Sequence, residues 1–266
     1  MNLKYLFGAG LSIPLLPLMY VQAKNIRASI PKLPEATGLT GVAKQSSKKV
    51  LRMLTIGEST IAGVGVNTHE EGFTGTLAKT LAAGLGSNIQ WKVYAKSGYT
   101  AKRVTYKILP TITEQAVDLV VIGLGANDAF KLNRPGKWRD QMQTLIETLR
   151  SRFPDTPICF INMPPIKEFP AFTKLIKMTI GNLVEILGQE LDKLVKRQKH
   201  VYFRSDIITM KGWSKKFKLN KTRKDFFSDG VHPSKLTYQI WGKNFGEFLL
   251  SNEEIVKLLK RKTNMG

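Results

Sequence analysis

Short runs of apolar residues alternate with longer amphipathic segments along most of this chain. The apolar runs are rich in valine, isoleucine and leucine, which is typical of strands that are buried on both faces of a sheet. The pattern predicts strands over residues 50–56, 90–94, 119–124, 158–163 and 200–203.

The segments between these runs repeat apolar residues at three- and four-residue spacing, as Leu145, Leu149 and Phe153 do. This spacing places the apolar side chains on one face of a helix. It predicts helices over residues 72–84, 101–113, 138–152, 172–196, 235–250 and 253–261. The alternation of strands and helices predicts an α/β domain in which helices cover a five-stranded parallel sheet.

The beginning of the chain has a different pattern. Residues 5–21 are uncharged, follow Lys4 and lead into Val21-Gln22-Ala23. A basic start, an apolar stretch and small residues before a cut are typical of a secretory signal peptide, whereas about 17 apolar residues reach the lower limit for a membrane-spanning helix. We therefore predict that residues 1–23 are a signal peptide or a membrane anchor. Either one implies a cell-envelope protein that is anchored or exported. The sequence does not determine the side of the membrane.

Residues 24–49 contain prolines, glycines and mixed polar residues without helical or strand periodicity. This composition indicates a linker. The remaining residues, 50–266, are enough for one α/β domain, since about 200 residues can bury a full core.

The charge balance is unusual, because 41 lysine and arginine residues against 20 acidic residues leave a net charge of +21. Anionic lipid head groups and nucleic acid both attract such a surface. The basic residues are spread along the chain without a zinc-finger or helix-turn-helix pattern, which argues against dedicated nucleic-acid binding. The charge is compatible with an anionic membrane surface as a partner.

Polar and glycine residues follow the first three predicted strands. Glu58 and Ser59 come after the first strand, Gly98 after the second, and Asn127 and Asp128 after the third. Ligands of open parallel sheets bind beyond the carboxyl ends of the strands, so we expect these residues to meet at one edge of the sheet.

A serine hydroxyl becomes a nucleophile when a histidine, held by a carboxylate, lies within hydrogen-bond reach. Of the three histidines, His69 sits in a polar loop and His200 enters a strand, whereas His232 follows Asp229 by three residues in a glycine-containing turn. The pattern favours Ser59 as nucleophile, His232 as base and Asp229 as the orienting carboxylate. Taken singly, each motif is more typical of a surface turn or a helix cap.

Acyl transfer also needs hydrogen-bond donors where negative charge develops on the substrate carbonyl. The backbone N–H groups of Ser59 and Gly98 and the side-chain amide of Asn127 are the candidates. Their joint occurrence at successive strand ends favours one site over three unrelated turns.

In this order the motifs resemble those of the SGNH (GDSL-type) hydrolases, which carry Gly-Asp-Ser, a glycine, Gly-x-Asn-Asp and Asp-x-x-His. The matching blocks are Gly57-Glu58-Ser59, Gly98, Gly125-Ala126-Asn127-Asp128 and Asp229-Gly230-Val231-His232. The resemblance covers roughly residues 51–250 and implies a flavodoxin-like three-layer α/β/α sandwich. It also implies hydrolysis of carboxylic esters without metal or cofactor, by a triad of Ser59, His232 and Asp229. Ser59, Gly98 and Asn127 would then form the oxyanion hole.

The sequence departs from the family at Glu58, where the family usually has aspartate. The longer side chain is expected to affect the turn that presents Ser59. No Gly-x-Ser-x-Gly surrounds Ser59, which argues against the nucleophile elbow of the α/β-hydrolases.

Residues 163–172 (MPPIKEFPAF) follow the fourth predicted strand. Ile166, Phe169 and Phe172 are candidate substrate-binding residues in a lid or acyl pocket, although packing of the loop itself explains them equally well. Together with the apolar first segment and the basic surface, they favour a lipid or another envelope-associated ester as substrate. Two alternatives stay open: an acyltransferase with the same triad, and a catalytically silent basic module that binds membrane or nucleic acid.

Overall fold

The computed structural model describes residues 3–263 of the chain. The first two residues of the predicted first segment and the last three of the predicted domain lie outside the described residues. Within them, one sheet contains six strands: β1 (Thr40–Ala43), β2 (Val50–Gly57), β3 (Asn88–Ala95), β4 (Leu119–Gly123), β5 (Ile158–Phe160) and β6 (Val201–Phe203). Their order across the sheet is β1-β3-β2-β4-β5-β6.

Helices connect these strands and cover the sheet. They are α1 (Leu3–Ser12), α2 (Leu16–Ser29), α3 (Phe73–Leu85), α4 (Ala101–Arg103), α5 (Ala126–Phe130), α6 (Pro135–Arg152), α7 (Lys174–Val195), α8 (Met210–Lys216), α9 (Lys235–Ser251) and α10 (Glu253–Thr263). Helix α3 packs against α9, and α6 packs against α7. The sheet lies between helical layers, so the predicted α/β/α sandwich is confirmed.

Strands β2 to β6 run parallel in the flavodoxin-like order β3-β2-β4-β5-β6. Ile56 of β2 pairs with Tyr94 on one side and with Ile122 on the other. Every residue of the central strand β4 is buried, as its unbroken apolar sequence predicts. The five predicted parallel strands are confirmed, and their carboxyl ends lie at one edge of the sheet.

The sixth strand, β1, is an addition that the sequence did not predict. It pairs antiparallel with β3 at the edge of the sheet, where Gly41 lies opposite Trp91 and Ala43 opposite Ile89. It lies inside residues 24–49, which the sequence predicts to be a linker. The sequence pattern does not reveal this strand, because only Ala43 of its four residues is buried and apolar and polar residues do not alternate along it. Helix α2 also extends to Ser29, beyond the predicted boundary at residue 23.

The predicted helix over residues 101–113 is only partly regular. Helix α4 passes into a single π-helical turn at Val104–Ile108 and then into a 3-10 turn at Leu109–Thr111. Pro110 lies in the last turn, lacks a backbone N–H group and sterically disfavours a continued α-helix. The short helices α5 and α8 were not predicted, because so few residues carry no periodic signal.

The first two helices contact α7. Thr173 donates a hydrogen bond from Oγ1 to Oε1 of Gln22 at 2.7 Å, and Met19 of α2 is buried. Pro14 lies in the 3-10 turn at Ile13–Leu15 that separates α1 from α2, and Pro17 lies in the first turn of α2. No helix within residues 3–263 combines the length and the apolar character that crossing a membrane requires.

The packing of β1 can be tested at Gly41, because a Cβ atom there would overlap the Trp91 ring. We expect Gly41→Val to lower the free energy of unfolding by about 1–3 kcal/mol, as overpacking does elsewhere. Urea denaturation measures the change. Val42→Thr, at an exposed position of the same strand, is the control and should change stability by less than about 0.5 kcal/mol. Equal stability of Gly41→Val and the wild type would contradict the packing of β1 on Trp91.

Candidate active site

Ser59 lies in the turn directly after β2. The N–H of Glu58 donates to the carbonyl of Gly123 at 3.1 Å, which extends the contact between β2 and β4 by one residue. A Cβ atom at Gly57 would overlap that same carbonyl, so glycine is required for the two strands to approach at this point. The serine is therefore placed at the carboxyl edge of the two central strands.

Asp229 and His232 lie in a compact turn before α9. Nδ1 of His232 and Oδ2 of Asp229 are 2.7 Å apart. The other carboxylate oxygen, Oδ1, accepts the N–H groups of Val231 at 2.9 Å and His232 at 2.7 Å. Gly230 adopts a φ of +86°, a conformation that favours glycine. The Asp-x-x-His spacing thus builds its own carboxylate–imidazole pair from local hydrogen bonds.

The environment of Asp229 favours its charged form. Burial tends to raise the pKa of this carboxyl, but the hydrogen bonds from His232 and Val231 and the charge of His232 outweigh burial and lower the pKa. An ionised Asp229 accepts a hydrogen bond from the N–H group at Nδ1 of His232, which leaves Nε2 as the proton acceptor of the ring. The pair is therefore suited to proton transfer through Nε2.

Ser59 and His232 line the same cavity, which has a volume of about 90 Å³. Asn127 contributes to its lining as well. No hydrogen bond links Ser59 with His232 in the part of the chain that the structure describes. Catalytic hydrogen bonds are often long in ligand-free proteins and tighten when substrate binds.

Glu58 connects the end of β2 to the loop after β4. Its buried carboxylate accepts the N–H of Ala126 at 2.8 Å, the N–H of Asn127 at 2.9 Å and the Asn127 side-chain amide at 2.6 Å. The same amide donates to the carbonyl of Tyr99 at 3.1 Å. Glu58 therefore holds the Asn127 loop beside Ser59, a role that the sequence did not reveal.

The three candidate oxyanion donors are in different states. The N–H groups of Ser59 and Gly98 donate no hydrogen bond to any described residue. Gly98 adopts a φ of +79° in an exposed turn after β3 and is not part of the cavity wall. Both amide hydrogens of Asn127 are engaged, by Glu58 and by Tyr99. Asn127 must release one of these partners before it can donate to a substrate.

Two further carboxylates organise this edge of the sheet. Burial raises the pKa of Glu58 to about 7; hydrogen bonds from Asn127 and Ala126 lower it, and the charge of Asp128 raises it. Asp128 is itself buried and accepts the N–H of Ala101 at 2.9 Å and the amide of Asn133 at 2.6 Å. The Gly-x-Asn-Asp block thus attaches the start of α4 to the loop after β4.

The other two histidines lie away from the cavity. His69 is buried, and this burial lowers the pKa of its imidazole to about 4, although the charge of Glu35 raises it. Nε2 of His200 lies 3.9 Å from Glu254. Among the described residues, His232 is the one imidazole that lines the cavity.

The predicted substrate-binding residues separate into two groups. Phe169 lines the cavity, whereas Ile166 and Phe172 do not. Ile166 is buried in a 3-10 turn, and the Phe172 ring packs against the rings of Phe169 at 5.3 Å and Phe130 at 5.5 Å.

Sequence reasoning missed most of the aromatic and apolar cavity wall. The missed residues include Phe130, Met210, Trp213, Phe227 and Trp241. Their spacing in the sequence is the same as that of ordinary core residues, so no local signal distinguishes a cavity wall from a core.

The strand order and the polar cluster at the carboxyl edge define a flavodoxin-like α/β protein with a candidate ester-hydrolase site. Residues 55–240 match the profile of the GDSL-like lipase/acylhydrolase family. The chain belongs to this family and is a carboxylic ester hydrolase. A comparison with curated protein sequences finds no match.

Solved structures share the fold at low sequence identity. A family 3 carbohydrate esterase from Clostridium thermocellum superposes with a TM-score of 0.57 at 17% identity, over 81% of this chain and 100% of that chain. A lipolytic G-D-S-L family protein from Veillonella parvula gives a TM-score of 0.56 at 12% identity, over 76% and 100%. A lipase from a goat rumen metagenome gives 0.53 at 18% identity, over 77% and 99%.

The raised pKa of Glu58 makes stability depend on pH. The folded chain holds this proton more tightly than the unfolded chain, so the stabilisation is full below pH 4.5 and is lost as the pH rises to about 7. One pKa unit corresponds to about 1.4 kcal/mol, so the loss amounts to about 3 kcal/mol. We expect Glu58→Gln to remove this part of the pH slope, measured by urea denaturation at a series of pH values.

The readout is the slope of the unfolding free energy against pH. The absolute stability is not used, because the Glu58→Gln substitution also removes one acceptor oxygen and so lowers stability at every pH. Glu247→Gln, at an exposed position, is the control and should keep the wild-type slope. The same slope in Glu58→Gln and the wild type would show that Glu58 does not titrate in this range.

Proposed function

We propose that this protein hydrolyses carboxylic esters through an acyl-enzyme on Ser59, with His232 as general base and Asp229 as its orienting carboxylate. The observation that carries the proposal is the Asp229–His232 pair, joined at 2.7 Å, with its imidazole on the same cavity as Ser59. Family membership supports the reaction class, and this arrangement supports the assignment of roles.

In the first half-reaction, Nε2 of His232 takes the proton of Ser59 Oγ, and Oγ attacks the carbonyl carbon of the ester. The carbonyl oxygen becomes negative in the tetrahedral intermediate and accepts a hydrogen bond from the N–H group of Ser59. The N–H group of Gly98, in the turn after β3 outside the cavity wall, is the second donor once the bound ester reaches that turn. His232 then gives its proton to the departing alcohol oxygen, the bond from carbon to that oxygen breaks, and the acyl group remains on Ser59.

In the second half-reaction, water replaces the alcohol. His232 takes a proton from this water, the resulting hydroxide attacks the acyl carbon, and the carboxylic acid leaves as Ser59 regains its proton. Asp229 stays ionised throughout, since its hydrogen bonds and the imidazolium charge favour the carboxylate. Asn127 becomes a third oxyanion donor when its amide turns from Glu58 or Tyr99 to the substrate.

We also propose that the enzyme works at an anionic membrane surface. Helix α8, the loop after it and the following 3-10 turn at Arg223–Phe226 carry exposed lysines: Lys211, Lys215, Lys218, Lys221 and Lys224. None of the five lies within 4.0 Å of a carboxylate oxygen of a described residue. Helix α8 also supplies Met210 and Trp213 to the cavity wall, so a surface that bound these lysines would lie close to the cavity.

The role of Ser59 can be tested with a fluorophosphonate probe, which reacts with an activated serine. We expect the wild type to be labelled and Ser59→Ala to show no labelling on a fluorescence gel. Ser97→Ala, an exposed serine after the neighbouring strand, is the control and should label normally. His232→Ala should slow labelling by at least about 1,000-fold, because the base is lost. Equal labelling of Ser59→Ala and the wild type would exclude Ser59 from the mechanism.

The membrane proposal predicts salt-sensitive binding to vesicles that contain phosphatidylserine. Each lysine near such a surface contributes about 1 kcal/mol, so changing Lys211, Lys215 and Lys218 to glutamate should weaken binding by at least roughly 100-fold. Sedimentation with vesicles measures the bound fraction. The control variant changes three lysines elsewhere on the surface, Lys44, Lys48 and Lys257. Equal binding to neutral vesicles, or equal loss in both variants, would contradict the proposal.

A further inference from the structure

The cavity beside Ser59 and His232 has walls that are largely apolar. Trp213, Trp241 and Phe227 are buried wall residues, and Phe130 is a wall residue that is 39% exposed. Esters of alkyl carboxylic acids carry an apolar chain on the carbonyl carbon that Ser59 would attack. A largely apolar cavity that contains the nucleophile is therefore suited to the acyl chain.

The aromatic residues of the cavity wall pack against one another. The rings of Trp213 and Trp241 meet edge to face at 6.0 Å, and those of Phe169 and Phe227 at 5.3 Å. Nε1 of Trp241 also donates to Oδ1 of Asn162 at 3.2 Å. Because packed aromatic rings of this kind resist displacement, the cavity should not widen easily when a longer chain enters.

The volume of the cavity limits the length of that chain. An engineered protein cavity of about 150 Å³ holds benzene, which has six carbons. The cavity beside Ser59 measures about 90 Å³. By this comparison it holds about four carbons.

We infer that this cavity is the acyl pocket and that the enzyme is selective for short acyl groups, from acetyl to butyryl. The inference rests on the proposed function and adds its substrate class. It assigns Trp213 and Phe130 as specificity-determining residues. Trp213 forms part of the buried wall, and Phe130 forms part of the exposed lining. Longer chains are expected to lose binding in the transition state, because the buried walls leave no room for them.

The inference is tested with p-nitrophenyl acetate, butyrate and octanoate and the full chain. A methylene that a pocket does not accommodate costs about 10-fold or more, so kcat/KM for butyrate should exceed that for octanoate by at least about 100-fold. Trp213→Leu and Phe130→Ala should each reduce this ratio by at least about 10-fold. Phe217→Leu is the matched control, because Phe217 packs against Trp213 at 6.5 Å and does not line the cavity. It should leave the ratio unchanged within about 2-fold.

A second measurement needs no turnover. Phosphonofluoridates that carry methyl, propyl or heptyl groups place those groups where the acyl chain would lie. We expect Ser59 to react with the methyl and propyl compounds at least about 100-fold faster than with the heptyl compound.

The outcomes separate this inference from the proposed function. If the wild type hydrolyses octanoate as well as butyrate, or reacts equally fast with all three phosphonofluoridates, the inference is wrong and the role of Ser59 stands. If the two folded pocket variants keep the wild-type ratio, the assignment of the cavity as acyl pocket is wrong. Absence of both hydrolysis and Ser59 labelling would overturn the inference together with the proposed function.

Discussion

The buried carboxylate of Glu58 is the contact on which the arrangement of the site depends. Glu58 is the residue directly before Ser59, and its carboxylate accepts hydrogen bonds from the backbone of Ala126 and from both the backbone and the side chain of Asn127. A buried carboxylate without these donors would be strongly unfavourable, because it would lose its hydration without compensation. The two central strand ends are therefore held in one relative position. Ser59 and the Asn127 loop take their places from that constraint.

Two buried carboxylates at this edge have opposite pKa shifts for a clear physical reason. Asp229 faces an imidazole that can carry positive charge, and its hydrogen bonds and that charge lower its pKa. Glu58 accepts hydrogen bonds only from uncharged groups and lies near the negative charge of Asp128. Burial therefore dominates and raises the pKa of Glu58. The proposed mechanism needs a permanent charge at Asp229. At Glu58 it needs only a fixed acceptor of hydrogen bonds.

The cavity wall comes from segments that are distant in the sequence. Phe130 lies on α5, Trp213 on α8 and Trp241 on α9, whereas Ser59 and Asn127 follow the central strands. In many enzyme folds the sheet positions the reacting groups and the connecting segments set the specificity. The low sequence identity to solved structures of the same fold is consistent with this division.

The sequence by itself determined the five parallel strands, because each is an apolar run that only a doubly covered sheet can bury. It also determined the Asp229–His232 pair, because a three-residue turn brings its members together through local hydrogen bonds. Only the tertiary structure decided the strand β1, the contact from Glu58 to Asn127 and the wall of the cavity. Local spacing reports that a side chain is buried, but not which partner buries it. Trp213 and Phe172 carry similar local signals, and packing between distant segments alone places one on the cavity and the other behind its wall.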